Sequence, residues 1–126
     1  MMARHILLVL SNAANGRDEE FNDWYTDVHL TDVLKVDGFV AAQRFRLGDA
    51  QLRPDQATPH RYLAVYEIEA EDVQQPLEAL TAAVSSGAMR LSDTLEQRSL
   101  ATYLFTPVSE RMTAAITAQY CPVAPT

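Results

Sequence analysis

The chain has one cysteine, Cys121, among its 126 residues, so no disulfide can form within it. That suits a reducing compartment, and one thiol cannot build a thiolate metal site. It has only four glycines, and none form the Gly-rich loop that would cradle a phosphate. Positive charge is scarce. Ten Lys and Arg face seventeen Asp and Glu, for a net charge of -7. A nucleic-acid backbone or an anionic membrane surface needs basic patches, and the pairs Arg44/Arg46 and Arg53/Arg61 are too few. Long apolar runs are also missing. The run Ile6 to Leu10 is too short for a signal-peptide core or a membrane span, and reads as the first strand of a cytoplasmic protein. No Ser-His-Asp order, metal-ligand spacing or nucleotide fingerprint is visible. No cofactor and no metal are therefore expected.

What is present is enough apolar material for one core: 48% of the residues are hydrophobic. The reading is a domain over 1–108 and a tail over 109–126 with a weak helical middle. "HILLVLSN" is apolar on both faces, as a buried strand is. Asp18 then stands as an N-cap, and Phe21, Trp24, Tyr25 and Val28 recur at the spacing of one helical face. Thr31-Asp32 offers a second cap, which predicts a break after His29, and "VDG" ends the element. "FVAAQRFRL" predicts a second strand with Phe39, Ala41, Gln43, Phe45 and Leu47 on one face and Val40, Ala42, Arg44 and Arg46 on the other. "RYLAVYEIE" is a third strand. "EDVQQPLEALTAAVSSG" is a second helix with Val73, Leu77, Leu80 and Val84 inward and Gly87 as its C-cap. "SLATYLFTPV" is a fourth strand. The order β-α-β-β-α-β is the ferredoxin-like α+β arrangement, an antiparallel four-stranded sheet with both helices on one face.

Two helices cover one face of such a sheet, yet the first and third strands are apolar on both. An apolar face of that size left in water is unfavourable, which predicts a homodimer packed sheet to sheet. The alternative cover is the tail, whose large apolar groups are Met112, Ile116 and Tyr120.

Among residues that carry chemistry, His29 stands first. It titrates near neutrality and follows Tyr25 by four residues, so the pair shares a helical face. A Tyr-His pair facing a pocket could polarise a carbonyl or take a proton beside one. A second reading of His29 is an imidazolium set against a helix C-terminus. Trp24 is open between core and ligand-stacking wall, and Gln43 is a polar residue on an otherwise apolar strand face. Arg44 and Arg46 could anchor an acidic ligand but fit cross-subunit salt bridges better, and His5 and His60 are expected at the surface.

At "FNDWYTDVHLTDVLKVDGFVAAQRFRL" the sequence resembles the EthD-like branch of the dimeric α+β barrel superfamily. Trp24, Tyr25, His29, Leu30, Asp32, Gly38, Phe39, Arg44 and Phe45 carry the likeness, which spans roughly residues 4–106. Thr31 departs from the pattern where proline is common, as does Asp37 just before the glycine. The resemblance implies a dimeric α+β barrel with a pocket between helices and sheet. It implies metal-free acid/base chemistry on an aromatic or polyketide-like carbonyl compound, of cyclase, decarboxylase, isomerase or cofactor-free monooxygenase type. His29 and Tyr25 would be catalytic, and Trp24, Gln43, Phe45 and Tyr66 would contact the ligand. A non-catalytic ligand carrier or dimerisation module is the alternative. Haem handling, known in relatives of the fold, finds little support in scattered histidines.

Overall fold

The computed structural model describes residues 3–114. Ile116, Tyr120, Cys121 and the expected helical middle of the tail lie outside the described residues. The first strand, β1 (Ala3–Ser11), enters a helix in three consecutive segments: α1 (Asp18–Trp24), a wide π turn (Tyr25–His29) and α2 (Leu30–Leu34). Then come β2 (Phe39–Arg46), β3 (Tyr62–Ala70), α3 (Gln74–Ser85) and β4 (Ala101–Phe105).

The sheet order is β2-β3-β1-β4, and every neighbouring pair is antiparallel. This is the ferredoxin-like α+β fold that the element order predicts. The strict alternation of β3 sorts its side chains. Tyr62, Ala64, Tyr66 and Ile68 are buried under the helices, while Leu63, Val65 and Glu67 face away. Register extends that sorting. Leu7 lies opposite Tyr66 and Leu104 lies opposite Leu7, so all three share the helix-facing side. The core joins Phe21, Tyr25 and Val33 to this face, with Leu77, Leu80 and Val84 of α3 against it. The other face carries Ile6, Leu8, Leu10, Leu63 and Val65, with Tyr103 and Phe105 53% and 52% exposed.

Several local expectations change. The helix does not break after His29: it widens into the π turn and continues. Asp18 is the first helical residue rather than the cap, and its carboxylate accepts the Tyr62 hydroxyl at 2.7 Å. In β2 the register slips between Phe39 and Ala41, a β-bulge centred on Val40. Phe39 therefore pairs with Ile68 on the buried side, while Ala41, Gln43 and Phe45 face the open side. The expected common face of Phe39 and Gln43 does not exist. His5 is buried, with Nδ1 3.0 Å from Thr106 Oγ1, and His60 Nε2 meets the Ser99 carbonyl at 2.7 Å.

Gly38 turns the chain into β2 at φ +99, and a Cβ there would lie 2.8 Å from Pro76 Cγ. Pro76 is buried in the first turn of α3, where its missing N–H costs nothing. The connection from α3 to β4 is not a free loop. It bridges Ala13 through Leu95, with Ala14 N–H donating to the Thr94 carbonyl and Glu96 N–H to the Asn12 carbonyl. Met89, Thr94 and Leu95 are buried in it.

Candidate functional site

The site is built by the winding of the first helix. Phe21, Tyr25, His29 and Val33 are all buried and follow one another at four-residue steps. On a regular helix each such step drifts by about 40°, because four residues exceed one 3.6-residue turn. The π turn takes back part of that drift and gathers the four on one side. It also turns Val28 outward, 46% exposed, although the apolar spacing placed it on the buried stripe.

The inward turn brings three rings together. Trp24 lies on His29, with centroids 4.7 Å apart and 22° between planes. Tyr25 meets the same imidazole edge-on at 4.8 Å. From β3, Tyr66 Oη donates to Tyr25 Oη at 3.1 Å. Two phenols hold two protons, and one serves this bond. The Tyr25 proton has no acceptor among the described residues. Burial pushes both phenols above their ordinary range, in Tyr25 against the opposing pull of the Tyr66 bond and Arg44, so both hydroxyls stay protonated.

His29 shows the opposite response. Burial pushes its imidazole down to about 4, Asp32 pulls it back up, and the Arg44 cation pushes it further down. The ring is neutral at physiological pH. Its Nδ1 is buried with no hydrogen-bond partner among the described residues. An orphaned buried nitrogen costs about 1–3 kcal/mol, so it calls for an explanation.

A cavity of about 550 Å³ opens beside this group, between α3 and the sheet. That lies within the roughly 300–1,000 Å³ of small-ligand pockets. Tyr25, His29 and Tyr66 form its polar end. Leu7, Val9 and Leu104 of the sheet, Leu77, Leu80 and Val84 of α3, and Leu91, Leu95 and Leu100 of the α3–β4 connection supply apolar wall. Thr81, Ser85 and, from β4, Thr102 also reach it; the Thr81 and Ser85 hydroxyls donate to the carbonyls of Leu77 and Thr81 within α3. Among the described residues no charged side chain lines the cavity. No group of three or more His, Cys, Asp or Glu among them could hold a metal ion.

The structure thus brings Tyr25, His29 and Tyr66 together at the cavity. Trp24 backs His29 rather than lining the wall. Gln43 and Phe45 lie on the opposite face of the sheet, in a smaller depression with Ala41, Val65 and Glu67. The bulge at Val40 does not return them to the helix side. Arg44 does face the helices, and it is not an outward salt-bridge residue. Its guanidinium donates to Asn22 Oδ1 at 2.9 Å, Thr26 Oγ1 at 3.1 Å and the Asn22 carbonyl at 3.4 Å. It also lies 4.5 Å from the centre of the Tyr25 ring. Alternation with the inward Ala42 was the one signal that could have found it. The leucines of the α3–β4 connection gave no periodic signal at all.

No family profile and no curated protein matches the chain. Solved structures do. A candidate monooxygenase from Shewanella loihica PV-4 is 12% identical, covering 87% of this chain and 99% of its own, at a TM-score of 0.57. The haem degrader MhuD from Mycobacterium tuberculosis, with two haems bound in its active site, is 16% identical over 86% of this chain and 99% of its own, at 0.55. An ethyl tert-butyl ether degradation (EthD) family protein from Bacillus halodurans C-125 is 16% identical over 89% of this chain and all of its own, at 0.53. At these identities the likeness is one of fold. The fold is the ferredoxin-like one of dimeric α+β barrel proteins, EthD family included, in keeping with the resemblance read from the first helix and second strand.

Proposed function

We propose that the cavity binds a small, neutral, mostly apolar compound, aromatic or polyketide-like, through a carbonyl or hydroxyl oxygen placed at Tyr25. The observation that carries this is a spare hydroxyl proton on Tyr25 beside the neutral ring of His29, two residues that line one largely apolar cavity. A ligand oxygen there accepts from Tyr25. The uncharged walls disfavour a carboxylate, which would arrive without a counter-ion.

Chemistry follows from the same placement. A carbonyl held by Tyr25 has acidified neighbouring C–H bonds, and neutral His29 is the base within the group. It takes such a proton and returns it to a different atom, with the Tyr25 bond carrying the charge that develops on oxygen. In this reading His29 and Tyr25 are catalytic, and Tyr66 orients Tyr25. A second reading rests on the depressed imidazole. A ring that protonates only near pH 4 is a weak base and a good neutral hydrogen-bonding partner, which suits a carrier.

One experiment separates them. 2-Acetylnaphthalene is added in deuterated buffer, and loss of its methyl proton signal is followed by NMR. Catalysed exchange that His29→Gln abolishes supports the enzyme. Saturable binding with no exchange above buffer supports the carrier, and absence of binding by this and other neutral aryl ketones rejects both.

The same proposal includes a cytoplasmic homodimer. A second copy would cover Ile6, Leu8, Leu10, Val65, Tyr103 and Phe105, the apolar side chains that the helices leave open. The apolar open face and the dimeric habit of the fold support it. Light scattering at micromolar concentration tests it, and a monomer mass would remove it. No helix among the described residues is long and apolar enough to cross a membrane.

A further inference from the structure

We propose that Arg44, which does not line the cavity, is the positioning residue for Tyr25 and His29. It clamps the start of the π turn from outside and sets a positive charge behind the Tyr25 ring. This rests on the pocket reading for its consequence in binding, but not for its geometry.

The clamp is visible in the donors. One guanidinium nitrogen reaches the Asn22 carbonyl and Thr26 Oγ1, and the other reaches Asn22 Oδ1. Asn22 and Thr26 flank the point where the helix widens at Tyr25. A single rigid fork on β2 thus holds the two residues whose spacing decides whether Tyr25 and His29 face the cavity. A lysine, with one nitrogen, cannot hold the Asn22 side chain and the Thr26 hydroxyl with two donors fixed in one plane.

The charge is notable for what it lacks. Arginine rarely goes below the surface unless paired with a carboxylate. Arg44 is half-buried, its Nε has no partner, and no ion pair to it forms among the described residues. Three aromatic rings surround it instead: Tyr25 at 4.5 Å, Phe21 at 5.3 Å and Tyr62 at 5.5 Å. An uncompensated cation on the back of a phenol draws electron density from it and strengthens its hydroxyl as a donor toward the cavity. The same field disfavours a proton on His29. The other titratable groups around that imidazole are Asp32 on its own helix, Tyr25 beside it and Tyr66 on β3; α3, β1 and β4 present only uncharged side chains to the cavity.

Trp24 is the only tryptophan and stacks on His29, so its fluorescence reports the imidazole without any ligand. Protonation of His29 quenches it. The test compares Arg44→Met, Arg44→Lys and, as a control, Arg46→Met. In Arg44→Met the quenching midpoint rises above that of wild type, because a nearby cation no longer opposes the proton. Its affinity for 2-acetylnaphthalene falls by roughly tenfold. Arg44→Lys, which keeps the charge and loses the fork, holds the midpoint near wild type and falls between wild type and Arg44→Met in affinity, and Arg46→Met moves neither. If Arg44→Met matches Arg46→Met on both, the proposal is wrong. Should Arg44→Met fail to fold, Arg44→Lys decides: an affinity indistinguishable from wild type overturns the proposal. If wild type does not bind the ketone, the pocket reading fails while the Trp24 titration still judges Arg44.

Discussion

The Tyr66 hydroxyl donates a hydrogen bond to Tyr25 Oη across 3.1 Å, joining the middle of β3 to the first residue of the π turn. The bond is buried, so its loss is felt in stability as well as in the site. Tyr66→Phe is expected to cost about 1 kcal/mol, the usual net value of a neutral bond, in urea denaturation. It leaves the Tyr25 proton free to bind a ligand, so calorimetry should show a smaller loss of ketone affinity for Tyr66→Phe than for Tyr25→Phe. Equal losses would mean that Tyr66 touches the ligand itself.

His29 makes the protein sensitive to mild acid. Its folded-state pKa, about 4, lies below the ordinary 6.5, so between those values the unfolded chain binds the proton and the folded protein does not. Stability is therefore complete above about pH 6.5 and is lost as pH falls toward 4, by up to about 3 kcal/mol. His29→Leu is expected to flatten this part of the stability–pH curve. Parallel curves for the two proteins from pH 7 to 5 would contradict a buried neutral imidazole.

Gly38 and Gly87 both have positive φ, but only Gly38 is crowded. Gly87 has nothing within 4 Å of an added Cβ, whereas Gly38 would meet Pro76 at 2.8 Å. Gly87→Ala carries only the backbone penalty, about 1 kcal/mol. Gly38→Ala adds a clash with a rigid buried ring and is expected to cost about 2–4 kcal/mol. Thermal melts of the two variants should show the difference, and equal shifts would deny the close contact of turn and α3.

The cavity can be filled from α3. Val84→Phe adds volume to open space rather than to packed core, so stability should hold or rise slightly. Ketone affinity should fall by about tenfold or more. A marked loss of stability, as overpacking gives, would mean that the space is not there.

Much of this was legible in residue patterns. The alternation in "RYLAVYEIE" separates Tyr66 from Val65 correctly, and the stripe from Val73 to Val84 orients α3. The Tyr25–His29 pair is readable from spacing alone. Periodicity fails where the backbone adds a residue. The π turn exchanges Val28 for His29, and the bulge at Val40 sends Phe39 and Gln43 to opposite faces. Neither insertion leaves a glycine or proline at the site to mark it. Arg44 was hidden for another reason. A lone arginine with no acidic partner in register reads as surface, and only the ring cluster of Phe21, Tyr25 and Tyr62 gives it a place inside.

The bridge between Ala13 and Leu95 ties the α3–β4 connection, which lines part of the cavity, to the chain just after β1. The cavity's polar end comes from a helix and a central strand, where any shift disturbs the core. Leu91, Leu95 and Leu100 come from an irregular segment pinned by a few backbone bonds. Substitutions there resize the far end while leaving the hydroxyl pair and the imidazole in place. Under the proposed function, selectivity would then vary with the α3–β4 connection while the groups at Tyr25 and His29 stay fixed by the sheet and the first helix.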